Sequence, residues 1–433
     1  MKRVAFRIAL IYFVLFAFCD GNGTIFSYYG SIGDWIDSKL IWPMNHLAEF
    51  FSLHVFHFTG VGSRFHDTGS GDTLIHWVLQ LVLLGTAILG GLIWTGIATA
   101  RGSRRKEYQT LYAWLRFLLR LTCGMFMLNY GMAKLIPMQM APISIAILNE
   151  PVGNMSPMTF LWALIGMNPH YQMICGGAEV VGGILLLYRR TALAGALLSA
   201  FVMTNVLLYN IFFDVPVKLF AANLLLALLF ITLPDVTPLF RFFWLHQPAA
   251  PVGVWVPPVS RRNFRLATQV IEIVFVVTFA AWLPFEHFMG WRQYQKALGT
   301  SNPLLGAWRI DADRSTVLDS PEHQPITDLY VDNSVRAFTR STDGSLWRTR
   351  VQSDPVKHTI KIGVYTLSPI AYGFVMPDHD HATLTALPPA DKTSEAAKDF
   401  RPGTLQLIRV PVPSHYPLLE RGLHWVNEWG LER

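Results

Sequence analysis

Glu179 lies in the middle of a membrane-length apolar run, MICGGAEVVGGILLLYRR, where a carboxyl group needs a polar partner or a task. Lys134 closes a second apolar run, LRLTCGMFMLNYGMAKL, and Asn205 interrupts a third, ALLSAFVMTNVLLYNIFF. At bilayer depth these residue types suit proton exchange, ligand hydrogen bonding or helix pairing. Arg120 follows Arg116 by one helical turn on the same face. Asn129 sits at an outer depth matching Asn205 and Tyr209, which stand four apart. The sharp expectation is an outer polar pocket formed by Glu179, Lys134, Arg120, Asn129, Asn205 and Tyr209. The plain one is a set of interhelical hydrogen bonds. Asn205, Tyr209, Asn129 and Arg120 are the predicted partners of Glu179. Lys134 ends its helix, whereas Glu179 is about nine residues into its own, roughly 12 Å deep at 1.5 Å per residue. A direct Lys134–Glu179 pair therefore requires the glutamate helix to begin nearer the glutamate than this placement.

Better-defined chemistries are missing from the sequence. It has no GxGxxG after a strand, no GxxxxGK[ST], no GxSxG, no HExxH and no CxxC. Cys19, Cys123 and Cys175 each lie in or at the end of an apolar run and read as small buried side chains. His379 and His381 flank Asp380, just after Asp378, which is a two-histidine and carboxylate spacing. They also fall where a hairpin turns, and a solvated turn is the expected role. No metal site, no catalytic residue and no intrinsic electron-carrying cofactor is read from the residues.

The elements that must position these side chains follow from composition. The 433 residues are 52% apolar and only 15% charged, with a mean hydropathy of +0.33. That balance defines a polytopic membrane protein with an attached water-soluble part. Seven spans are predicted, at about 4–19, 74–98, 111–133, 171–188, 191–210, 217–233 and 266–284, each near the ~20 residues that cross a bilayer. Residues 43–58 read as an interfacial or re-entrant helix. Lys2, Arg3 and Arg7, the run RGSRRK at 101–106, Arg189 and Arg190, and Arg241, Arg261, Arg262 and Arg265 all fall on one face of such a bundle. The positive-inside rule then predicts a cytoplasmic N-terminus, an extracytoplasmic C-terminal part, and residence in the cell's inner (plasma) membrane. The net charge of +6 reflects these loops and is no argument for nucleic-acid binding. Membrane lipids are the expected surroundings, and protein partners are expected to meet the outer domain.

After Trp291 the period changes from helical to alternating. Eight short runs, from LLGAWRIDAD to TLQLIRVPV, are separated by turn residues such as STDG and MPDHDH. They predict an antiparallel β barrel or sandwich. The opening Gly306-Ala307-Trp308 is similar to the Gly-x-Trp start of calycin-type barrels. The fold class is thus an α-helical polytopic bundle plus a C-terminal all-β barrel or sandwich. The expected domains are 1–110 (N-terminal spans and outer loop), 111–233 (a four-helix core), 234–265 (a Pro-rich cytoplasmic linker), 266–285 (the last span) and 300–433 (the outer β domain with an aromatic tail).

The stretch from LRLTCGMFMLNYGMAKLIP to GGAEVVGGILLLYRRTALAGALLSAFVMTNVLLYN resembles the DoxX-like membrane proteins. The matching positions are Gly131 to Leu135, then Glu179, Gly182, Gly183 and the leucines 185–187, then Tyr188 to Arg190. The resemblance covers about 111–233 and implies a four-helix core. It implies no firm activity: the chain reads as an integral membrane protein of unassigned activity, and a membrane component of a quinone-linked redox system, with a quinone as the ligand class, is the enzymatic expectation. The alternative is a non-enzymatic scaffold or transport-associated protein, whose outer domain binds a partner or a small hydrophobic ligand.

Overall fold

The computed structural model describes all of the chain except residues 1, 21–23, 61, 67–68, 103–107, 250–261, 300–301, 317–323, 355, 365–369, 390–401 and 421–433. Most of the expected Pro-rich linker and of the aromatic tail therefore lies outside the described residues. The chain divides into two compact units, one of residues 1–139 with 170–287, the other of residues 140–169 with 288–433.

The first unit is helical. Among the described residues, six helices are long and apolar enough to cross a membrane: Leu74–Ala100, Gln109–Leu135, Pro169–Leu187, Ala192–Phe212, Lys218–Phe243 and Leu266–Leu298. We label Lys2–Cys19 α1, Gly30–Phe50 α2, Leu74–Ala100 α3 and Gln109–Leu135 α4. α5 (Ile145–Leu148) and α6 (Pro157–Gly166) follow in sequence and belong to the second unit. Then come α7 (Pro169–Leu187), α8 (Ala192–Phe212), α9 (Lys218–Thr232), α10 (Val236–Phe243), α11 (Arg262–Val277) and α12 (Leu283–Leu298). A π-helical turn at Thr278–Trp282 joins α11 to α12.

Seven spans were expected, and α1 is not among the six helices. It carries Lys2, Arg3 and Arg7 within 18 residues. It nevertheless runs antiparallel along α3. Arg7 donates to Thr95 Oγ1 at 2.7 Å near one end, and Gln80 donates to Asp20 Oδ1 at 2.5 Å near the other. The helix expected over 43–58 begins far earlier, at Gly30, and runs through Pro43. Asp34, Asp37, Lys39 and Glu49 interrupt its apolar character, and it is not one of the six.

Packing inside this unit is unusually close where glycines meet. On α4, Gly124 and Gly131 are seven residues apart, and on α7 so are Gly176 and Gly183. Both intervals are two helical turns, so each pair forms a smooth stripe. A Cβ at Gly176 would stand 2.4 Å from the Leu135 nitrogen, and one at Gly183 2.9 Å from Leu128 Cγ. The two backbones can approach this far only because no side chain stands between them.

Among the described residues, the second unit contains a closed eight-stranded antiparallel barrel in simple meander order, β1-β2-β3-β4-β5-β6-β7-β8. The strands are β1 Gly306–Ile310, β2 Ile326–Val331, β3 Arg336–Ser341, β4 Leu346–Asp354, β5 Thr359–Val364, β6 Ile370–Val375, β7 His381–Leu387 and β8 Thr404–Val410. Each overlaps one of the eight alternating runs, and β3, β4 and β6 extend one or two residues beyond theirs. Pairing of β1 with β8 removes the free edges. The interior is filled by Trp308, Leu329, Val331, Ile360, Tyr372, Phe374, Leu384 and Leu407 among others, as expected of a barrel this narrow.

The Gly-x-Trp start is integral to closure. Trp308 is fully buried and donates its indole N–H to the Leu304 carbonyl at 2.7 Å. The Arg409 guanidinium lies 4.2 Å from the ring centroid and donates to the His379 and Leu305 carbonyls, each at 2.8 Å. Gly306 has φ +122°, and a Cβ there would meet Arg409 Nη1 at 2.7 Å, so both conformation and space demand glycine. Trp308→Ala is expected to cost about 3–5 kcal/mol. The check is loss of barrel protection in hydrogen exchange with the helical unit unchanged.

Residues 140–169 belong to this unit too, although the sequence reading keeps them within the 111–233 core. Arg336 donates to the Pro142 carbonyl at 2.8 Å and pairs with Asp332 at 2.8 Å, and Asp332 accepts the Ile145 N–H at 2.8 Å. Arg340 pairs with Glu150, and Asn149 donates to the Tyr416 hydroxyl at 3.0 Å. Burial pushes the Asp332 carboxyl up, against the opposing pull of Arg336 and the Ile145 N–H. The Pro-rich segment is thus a strap fastened to the barrel wall by charge-assisted bonds.

Candidate functional site

α4 carries two buried cations, Arg120 and Lys134, and a half-buried one, Arg116, and each meets an acid from a different element. Arg116 Nη2 lies 2.7 Å from Asp235 Oδ2, in the turn between α9 and α10. Arg120 Nη2 lies 2.6 Å from Glu272 Oε1 on α11. Lys134 Nζ lies 2.8 and 2.9 Å from the two carboxylate oxygens of Glu179 on α7. Residues 116 and 134 are about 27 Å apart along the helix, so the pairs are distributed over most of the bilayer depth.

The Lys134–Glu179 pair corrects the expected depth difference. α7 begins at Pro169, and its first two turns project past the end of α4. The glycine stripe brings Gly176 against Lys134 Cβ and Gly131 against Glu179 Cβ, at 2.7 and 2.9 Å from an added Cβ. The lysine is therefore nearly level with the glutamate. Lys134 is 5% exposed and Glu179 2%, and the ammonium occupies both carboxylate oxygens. Tyr130 lies over Lys134, with Nζ 6.0 Å from its ring centroid. The side chain of Tyr209 comes within electrostatic reach of Glu179.

The other expected members disperse. Arg120 turns to Glu272 and stacks 5.4 Å over Phe117. Asn129 meets His287 Nε2 at 3.3 Å. Asn205 is exposed on α8. Of the four partners predicted for Glu179, none is its hydrogen-bonding partner here; Lys134 fills that role.

Sequence reasoning missed Glu272 and Asp235. Glu272 stands alone in QVIEIVFVV, a signal equal to that of Glu179. It also missed a polar chain through the bundle. Tyr12 donates to Asn223, Asn223 donates to Gln80 Oε1 at 3.0 Å, and Gln80 donates to Asp20 Oδ1 at 2.5 Å. At the head of α9, Asp72 accepts the backbone N–H groups of Lys218 and Leu219 at 2.6 and 3.0 Å, a cap supplied from a distant segment. A groove of about 380 Å³ runs between α1, α4 and α11, lined by apolar side chains including Leu10, Val14, Leu115, Leu118, Ile271 and Phe275.

At the β6–β7 turn, His379 pairs with Asp380 and His381 with Asp378, each at 2.9 Å. Among the described residues no three His, Cys, Asp or Glu side chains are grouped to hold a metal.

These features define a polytopic membrane protein with a helical core knit by buried ion pairs and a separate closed β barrel. Over 89 residues the chain is 30% identical to the uncharacterized protein YwoB of Bacillus subtilis (strain 168). The match takes in 21% of this chain and spans 56% of that protein's length. No family model and no solved structure matches the chain.

Proposed function

We propose that the chain is a non-enzymatic membrane scaffold of DoxX-like type, presenting its barrel unit to a protein partner on the extracytoplasmic side. One observation carries this reading: all three cations of α4, two of them buried and Arg116 half-buried, are committed to acids of three other elements. Such pairs specify which helices assemble and leave Glu179 with both oxygens engaged. The filled barrel interior argues for a surface that docks a partner over a cup that carries a ligand. The DoxX-like reading is supported by the meeting of its motifs in space, where Gly131 and Lys134 pack on Glu179 and Gly183's helix.

The extracytoplasmic placement rests on the basic loops. Asp343→Cys, in the exposed β3–β4 turn, is expected to react with a membrane-impermeant thiol reagent in intact cells. Reaction only after lysis reverses the orientation.

The scaffold reading predicts a native complex containing a second protein, lost when residues 300–433 are deleted while the helical unit stays folded. A quinone-linked redox component is the second reading, favoured by the apolar groove between α1, α4 and α11. It predicts stoichiometric quinone in protein purified in native lipid. Quinone in that amount, reducible by an added donor, replaces the scaffold reading.

A further inference from the structure

The segment that straps the barrel also exposes an uncharged apolar helix. Residues 151–169, PVGNMSPMTFLWALIGMNP, contain no Asp, Glu, Lys or Arg. Ser156 caps α6, accepting the Thr159 N–H at 3.1 Å, and Pro157 opens it. One face of α6 buries Leu161 and Gly166, the latter close to the Ala141 carbonyl. The other face exposes Phe160 (42%) and Leu164 (49%), one turn apart, followed by Met167.

A water-soluble unit gains nothing from such a face, and the chain itself says what covers it. α6 ends at Gly166 and the membrane-length helix α7 starts at Pro169. Three residues reach at most about 10 Å. Upstream, α4 ends at Leu135, and five residues to Met140 reach at most about 18 Å. The strap is thus tethered at both ends to helices long enough to cross a membrane, within about 18 Å upstream and about 10 Å downstream. Ten residues make about 15 Å of helix, too short to span.

We propose that α6 lies in the interface of the leaflet from which α7 enters, with Phe160, Leu164 and Met167 in the acyl boundary, so that the barrel unit carries its own lipid-bound foot. The occupant is the phospholipid surface, not a second protein.

The test uses the full chain in lipid nanodiscs. A fluorophore on Leu164→Cys is compared with one on Val356→Cys, an exposed position in the β4–β5 turn, after the three native cysteines are replaced. Quenching by aqueous iodide is expected to be weaker at 164 by about threefold or more, and shallow spin-labelled lipids are expected to quench 164 alone. Equal iodide access at both positions, without lipid quenching, overturns the proposal. Protection from both quenchers also overturns it, and identifies a protein cover. If the cysteine-free chain does not fold, a photo-cross-linking amino acid at Leu164 in the otherwise native chain decides: a phospholipid adduct supports the proposal, and a protein adduct or none defeats it.

Discussion

Lys134→Met is expected to destabilise the helical unit by about 3–5 kcal/mol, and Glu179→Leu by a similar amount, because each leaves a buried charge unmatched. The double variant is expected to be more stable than either single one. Two apolar side chains of similar size remove both charges and keep the α4–α7 contact. Unfolding of the detergent-solubilised chain, followed by helical signal against temperature, measures all three. If the double variant is as damaged as the worse single variant, the pair does more than match charge, and a working role for Glu179 gains ground. Glu179→Gln refines the result. It keeps the shape and one acceptor, so a scaffold tolerates it better than Leu.

The second large effect is steric. Gly176→Leu is expected to abolish accumulation of folded protein, because the new side chain meets backbone, not a movable side-chain tip. Overpacking of an adaptable core costs about 1–3 kcal/mol; here the helices themselves must part, which also separates Lys134 from Glu179. Gly96→Ala, on α3 with nothing within 4 Å of the added Cβ, is the control. It is expected to be neutral or to stabilise by up to about 1 kcal/mol through helix propensity. Monodisperse yield in size-exclusion chromatography compares the two. Equal yields remove the close-packing argument.

Most of the fold was legible because its signals are local. Each strand announced itself by alternation, and the hairpin turns by STDG and MPDHDH. The long helices announced themselves by uninterrupted apolar length. What stayed hidden depends on stagger and distance. Glu179 was readable as a residue needing a partner, but the partner depended on how far α7 projects past α4, which no local pattern encodes. Asn205 looked equivalent to Tyr209 in the sequence, yet Asn205 is exposed on α8 while Tyr209 is half-buried. Glu272 was legible by the logic applied to Glu179 and was passed over because its helix closes the bundle late in the chain. The strap was placed inside the 111–233 core because its contacts lie 187 to 194 positions downstream.

That strap has a consequence for how the molecule is made. Its anchors, Pro142, Ile145 and Glu150, leave the ribosome long before Asp332, Arg336 and Arg340, while α7 to α12 are synthesised in between. The barrel unit therefore cannot complete itself in step with synthesis. The early strap must wait, with its acidic Glu150 and its free backbone groups solvated, until the C-terminal strands arrive. Contacts this remote in the chain close slowly. A stop codon before β1 would leave the strap made but without its dock, and a barrel expressed alone would lack the clamp on Arg336 and Arg340. Quality control of the nascent chain thus acquires a late checkpoint: the barrel's arrival is what retires an exposed segment translated near the first third of the chain.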